Sequence, residues 1–223
     1  MPAPILLLGH RGARDYAPEN TFSAFDLALE HGVQGFEFDV RGTRDRRTII
    51  CHDPKFHHLV IRRQTLKQLR ASCVSPKEQP PTLESVLERY RSSAFLNIEV
   101  KVRGMEERVA RAVKLARPQR YFISSFLPSV VRKLHRLDQT LILGALAQTR
   151  WQLRRWRILP VKYVVPHYRL LSLRLIDKLH AAGKMVITWT VNDRRKMLRA
   201  AEWGVDGIIS DDTKLLVETL GRR

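Results

Sequence analysis

The sequence predicts a (β/α)8 TIM barrel built as a single domain over residues 1–223. Two observations carry this. Short apolar runs alternate with amphipathic stretches of helical length, the pattern of a parallel sheet with right-handed crossovers. There are nine such runs, and "TRDRR" joins the second to the third too closely for a crossover. Setting that third run aside as a short β-hairpin extension after strand 2 leaves eight, the number in a closed barrel. A chain of this length can be one undivided barrel and bury roughly 70–75% of its unfolded surface.

The runs follow in order. Ile5–Gly9 lies in "MPAPILLLGH", which lacks the basic start of a leader, and its apolar run is too short, so a core strand is expected. "TFSAFDLALEHG" reads as a helix with Asn20 as its cap and Gly32 closing it. Gly35–Val40 and Thr48–Cys51 form the second strand and its hairpin partner. Asp53–Pro81 is an irregular excursion with one short helix near Thr65–Ala71. Pro81 precedes a helix start at Thr82 in "PTLESVLERY". Phe95–Val100, Tyr121–Ser124, Leu141–Ala145, Tyr163–Val165, Met185–Thr190 and Gly207–Ser210 complete the strands. Gly183 and Gly204 end "SLRLIDKLHAAG" and "DRRKMLRAAEWG" where C′ glycines belong. No linker or low-complexity segment interrupts the series.

Composition narrows the classes. Forty Lys+Arg against 22 Asp+Glu give a net charge of +18. This favours polyanions in general, or is simply a solvated basic surface. No zinc-finger spacing, RNP-like aromatic box or basic tail appears, so no specific nucleic acid is expected. Weak association with an anionic membrane surface fits the charge, and no protein partner is evident. No window approaches the ~18 apolar residues of a membrane span. Cys51 and Cys73 match no metal or redox spacing and suit a reducing compartment. A cytoplasmic location is the expectation.

Barrel sites lie at the C-terminal strand ends, and the titratable residues gather there. In "FEFDV", Phe36, Phe38 and Val40 share one face while Glu37 and Asp39 share the other. "FLNIEVK" repeats the pattern, with Asn97, Glu99 and Lys101 opposite Leu96, Ile98 and Val100. Carboxylates sharing an inner face repel and lose hydration unless something positive lies between them. Lys101 or Arg11 can supply ordinary ion pairs. Three oxygen donors with no cysteine or histidine cluster also suit one hard divalent cation, Mg2+ or Ca2+. His10, in "HRG" after the first strand, and His52, in "CHDP" after the hairpin, fall on the same face. Such a pair can deprotonate an attacking group and protonate a leaving oxygen near neutral pH.

"HRG", "PENT", "FEFDV", "CHDP", "NIEVK", "WTVN" and "GVDGIISD" stand in the order and spacing of the glycerophosphodiester phosphodiesterase family. The chain resembles that family from His10 to about Asp211. The resemblance implies a metal-dependent enzyme hydrolysing a small glycerophosphodiester to sn-glycerol 3-phosphate and an alcohol. By matching positions it implies Glu37, Asp39 and Glu99 as metal ligands and His10 and His52 as general acid and base. Arg11 and Lys101 would contact the phosphate. Asp53 would orient His52, and Glu19 and Asn20 would fix the loop beneath the site. Trp189, in "WTVN", is expected either to wall the pocket or to pack within the barrel.

The chain departs from the family pattern at "TRDRR", which lacks the usual glycine, at "PKFHHLVIRRQ", where a Thr-Gly-x-Gly stretch is common, and at "SDDTK". These bear on the loop over the pocket and on the leaving group. Two alternatives therefore stand: lysophospholipase D-type hydrolysis of lysophospholipids, and a non-catalytic barrel binding anionic lipid or polyanion. "RWQLRRWR" invites a membrane-surface reading, but on one helix Trp151 and Trp156 would lie roughly 140° apart, making no single apolar face.

Overall fold

The computed structural model describes residues 5–75 and 79–221, so residues 76–78 of the predicted excursion and the extreme termini lie outside the described residues. Among the described residues there are eleven strands: β1 (Leu6–His10), β2 (Gly35–Gly42), β3 (Thr48–Ile50), β4 (Lys55–Phe56), β5 (Leu59–Val60), β6 (Phe95–Val100), β7 (Arg120–Ser125), β8 (Leu143–Ala147), β9 (Tyr163–Pro166), β10 (Met185–Thr188) and β11 (Gly207–Ser210). Eight of them pair in parallel in the order β1-β11-β10-β9-β8-β7-β6-β2, and a β1–β2 pairing closes the ring. The barrel is the predicted one. β3 pairs antiparallel with β2 through Val40 and Ile50, which makes the hairpin extension.

Helices α1 (Phe22–Glu30), α2 (Leu66–Ala71), α3 (Leu83–Tyr90), α4 (Glu106–Ala116), α5 (Pro128–Leu137), α6 (Arg150–Leu153), α7 (Leu173–Ala181), α8 (Arg194–Glu202) and α9 (Thr213–Leu220) surround the strands or sit in the excursion. The outer faces of the strands pack on them. Phe36 and Phe38 of β2 are fully buried, and Phe25 of α1 stacks on Phe36 with ring centroids 4.3 Å apart. Thr82 caps α3 in a capping box with Ser85, as Pro81 and Thr82 predict.

Three local expectations change. Thr21 caps α1, accepting from the Ala24 N–H, and Asn20 takes a left-handed φ of +61° instead. The fifth barrel strand begins at Leu143, since Leu141 lies in the preceding turn held by the Asp138 carbonyl. The "RWQLRRWR" segment is no continuous helix: one capped turn, α6, passes into a 3-10 turn over Arg154–Arg157.

Candidate active site

Register aligns the inward groups. Across the β1–β2 and β2–β6 pairings His10 lies opposite Glu37 and Glu37 opposite Asn97, and Asp39 lies opposite Glu99 one layer nearer the mouth. The period of two thus stacks the acids instead of scattering them. One oxygen from each of Glu37, Asp39 and Glu99 lies within 4.8 Å of the others, and all three residues are buried.

The turn after β1 brings in a cation. Arg11 holds a left-handed φ of +55° and Gly12 a φ of +88°, and the Arg11 N–H donates to Glu37 Oε2 at 3.1 Å. Strained backbone of this kind persists where surroundings enforce it. The guanidinium then donates to both oxygens of Glu19 at 2.9 Å. Its Nε lies 3.3 Å from Asp39 Oδ2, an ion-pair distance without hydrogen-bond alignment. From the opposite side Lys101 Nζ reaches Glu99 Oε1 at 2.8 Å and Asp39 Oδ1 at 3.2 Å. Asn20 clips Asp39, its Nδ2 donating to Oδ2 at 2.9 Å and its Oδ1 accepting the Asp39 N–H at 3.2 Å. That is why Asn20 leaves the cap to Thr21.

Ion pairing is therefore real but incomplete. Burial pushes the Asp39 carboxyl up, yet Lys101, Arg11 and Asn20 outweigh it and the net shift is downward. Glu99 is raised to about 7 by burial and by Asp39, against the pull of Lys101. Glu37 is raised well above the carboxylate range by burial, Asp39 and Glu99. Its Oε1 is buried with no hydrogen-bond partner. Three acids facing two cations, with one orphaned oxygen, form a donor set that fits a divalent metal.

The histidines are anchored differently. His10 Nδ1 lies 2.6 Å from Asp211 Oδ1, and Nε2 faces Glu37 Oε2 at 3.9 Å. Asp211 in turn accepts from Asn192 Nδ2 at 2.6 Å and approaches Arg14 Nη1 at 3.5 Å. His52 Nδ1 lies 2.8 Å from Asp53 Oδ1 at the exposed rim, and the His52 pKa is lowered by burial, with Lys101 and Arg11 opposing Asp39. One cavity of about 290 Å³ unites the groups: His10, Arg11, Glu37, His52, Glu99 and Lys101 line its polar side. Phe126, Leu146, Trp189 and Ile209 line the other. Asp39 is the one predicted ligand beneath this lining, 1% exposed. Trp189 lines the cavity, and its Nε1 donates to the Val165 carbonyl at 2.9 Å.

The sequence reading passed over Asp211 and Asn192 as site residues. Their signal was the polar cluster ending "WTVN" and "IISDD", at the mouths of β10 and β11.

The family model for the glycerophosphoryl diester phosphodiesterase family matches residues 10–215. The chain belongs to that family. It is an enzyme, a phosphoric diester hydrolase. It is similar to the glycerophosphodiester phosphodiesterase of Caldanaerobacter subterraneus subsp. tengcongensis, 30% identical over 95% of this chain and 96% of that one. It is similar also to that of Bacillus altitudinis, 29% identical over 92% and 94%. Among solved structures, a glycerophosphodiester phosphodiesterase from Parabacteroides distasonis matches with a TM-score of 0.84 and 25% identity over 99% of this chain and 98% of that one. An Oleispira antarctica phosphodiesterase solved with the product sn-glycerol-3-phosphate shares the fold, with a TM-score of 0.82 and 24% identity over 99% and 98%.

Proposed function

We propose that the chain, acting as one catalytic unit, hydrolyses small glycerophosphodiesters to sn-glycerol 3-phosphate and an alcohol, in the cytoplasm and with Mg2+ or Ca2+ held by Glu37, Asp39 and Glu99. The observation that carries this reading is the convergence of Glu37, Glu99 and two separately anchored imidazoles on one cavity, with Asp39 clustered against both acids beneath its lining. The product-bound Oleispira relative supports the choice of product.

The bound cation would supply charge stabilisation at the phosphoryl oxygens. This chain's residues do the rest. Arg11 and Lys101 orient the phosphate and offset its charge. His10, its Nδ1 proton held by Asp211, presents Nε2 to the cavity. His52 presents its own Nε2 from the rim, with Nδ1 held by Asp53. One imidazole takes a proton from the attacking group, either water or the free glycerol hydroxyl, as its oxygen bonds to phosphorus. The other gives a proton to the leaving oxygen as the P–O bond breaks. Where the glycerol hydroxyl attacks, water then opens the cyclic phosphate in a second step to give sn-glycerol 3-phosphate.

A cavity of about 290 Å³ is at the small end of ligand sites. It can enclose a glycerol phosphate, whereas a long acyl chain would have to protrude, which favours soluble diesters over lysophospholipids. The test is release of glycerol 3-phosphate from glycerophosphocholine by metal-stripped protein, with and without Mg2+ or Ca2+, beside a long-chain lysophospholipid. Release only with metal, faster from the soluble diester and lost in His10→Ala, is the expected result. Folded protein that releases product only from the lysolipid would shift the substrate; no release from either would sink the reading.

A further inference from the structure

None of the side chains of the arginine–tryptophan segment after β8 lines the site cavity. Where a barrel helix of ordinary length would lie, the chain makes one turn of α6 and a 3-10 turn, and a groove opens against α5. Arg132 of α5 faces Trp151, Arg154, Arg155, Arg157 and Ile158 across it. A second depression continues it, sharing Arg132 and Ile158, and no acidic residue lines either one. Trp151 and Ile158 are each 67% exposed. Trp156 instead packs on the core, so the apolar pair on this surface is Trp151 with Ile158, and the separation of the two tryptophans on an ideal helix is irrelevant.

We infer that this groove docks the protein on bilayers containing anionic phospholipids. Large apolar side chains ringed by guanidiniums match the boundary between charged headgroups and acyl chains. Charge complementarity commits the surface to an anionic partner, and two details favour lipid over nucleic acid. The Arg155 guanidinium lies 3.9 Å from the Trp151 ring centroid, so that ring face is covered where a base would stack. Ile158 has no π-face to offer a base but inserts readily among acyl chains. Docking would also act at the catalytic mouth. α6 begins two residues after Gln148, which lines the cavity, and Arg155 Nη1 donates to the carbonyl of cavity-lining Phe126 at 3.2 Å.

The inference does not rest on the proposed substrate, because binding is read without turnover. The full chain is sedimented with vesicles of phosphatidylcholine alone and of phosphatidylcholine with equal phosphatidylglycerol, at low and high salt. Binding to the anionic vesicles alone, weakened by salt, is expected. Trp151→Ser with Ile158→Ser should weaken it at least about tenfold. Arg132→Gln, Arg154→Gln and Arg157→Gln together should weaken it by about a hundredfold. Removing equal charge from the excursion with Arg62→Gln, Arg63→Gln and Arg70→Gln should change it far less. Circular dichroism and thermal melts confirm that the variants are folded. Equal loss in the control triple would reduce the effect to overall charge and overturn the inference. So would unchanged binding in the groove variants, or equal binding to neutral vesicles. A single-stranded oligonucleotide that displaces the protein from vesicles and loses affinity in parallel with the serine variant would assign the groove to nucleic acid instead.

Discussion

His10 and Asp211 meet at 2.6 Å across 201 residues of chain, one on the first barrel strand and the other just past the last. Closure of the barrel by β1–β11 pairing makes this contact, since Gly9 is in register with Ser210. Burial pushes the Asp211 carboxyl up, but the hydrogen bond and charge of His10, with Asn192 and Arg14, bring it below its ordinary value. An ionised carboxylate at Nδ1 fixes the tautomer and supports the imidazolium that forms when Nε2 accepts a proton. We therefore expect Asp211→Asn to lower kcat on the order of 10²-fold or more while KM changes only a few-fold. Loss expressed only in KM, or only in thermal stability, would reduce Asp211 to a structural strut.

The carboxylate triad makes an opposite prediction for stability and activity. Glu37 is 4% exposed and crowded by Asp39 and Glu99. Without a cation, Glu37→Gln relieves like-charge repulsion and keeps an oxygen for the Arg11 N–H. The metal-free variant should therefore melt at or above the wild-type temperature. The wild type should gain several degrees with saturating Mg2+ or Ca2+, because a ligand binding only the folded state stabilises it by mass action. Glu37→Gln should lose that gain together with turnover. Thermal melts with and without each ion, beside the release assay, check both halves.

Glu99 sets a pH window for the metal-free protein. Its carboxyl holds a proton to about pH 7 in the fold, because of burial and Asp39, against an ordinary value of 4.5. Between those values the folded state binds more protons than the unfolded one, so stability falls as pH rises from 4.5 to 7 and then levels off. Glu37, raised for the same reasons, adds to the slope. Asp39 and Asp211 are lowered and act in the opposite sense at acid pH, below about 4. The lowered His31, His52 and His167 oppose the slope below about 6.5, so the share of Glu99 is read as the difference between wild type and Glu99→Gln. Denaturant melts of stripped protein across pH 4.5–7 should show the decline, and Glu99→Gln should flatten it. A slope that Glu99→Gln leaves unchanged over this range would contradict the burial of an uncompensated acid there.

The residues legible in the sequence were those whose signal is local. Alternation in "FEFDV" and "NIEVK" places Glu37, Asp39, Glu99 and Lys101 on inward faces, because strand geometry leaves no other choice. His10 and His52 followed from their position at strand ends. Asp211 and Asn192 were not legible, since their partner is set by barrel closure and not by spacing. Asn20 was misread for a physical reason: Asn20 and Thr21 are both good caps, and the deciding factor is the buried Asp39, 19 residues on, that needs an amide. The early end of α6 at Leu153 was equally hidden, because arginine and tryptophan carry no stop signal comparable to glycine or proline.

Gly12 tests whether the β1 turn is part of the site's construction. Its φ is +88°, and a Cβ placed there would meet the Ala24 backbone at 2.6 Å. Neither fault can be relieved by a side-chain rotation, because the obstacle is the backbone in the first turn of a packed helix. Gly12→Ala should cost about 1–3 kcal/mol from the backbone conformation alone, with the clash added to it. The nearest escape is a shift of the turn, which would carry the Arg11 N–H away from Glu37 Oε2 and the guanidinium away from Asp39. The expected outcome is a lowered melting temperature together with reduced cation-induced stabilisation. Gly104→Ala supplies the comparison: its φ is +87°, but nothing lies within 4 Å of the added Cβ. That variant should lose stability from strain alone and keep its full response to cation. Equal loss of the cation response in both would mean that strain anywhere loosens the triad, and that the β1 turn has no special hold on it.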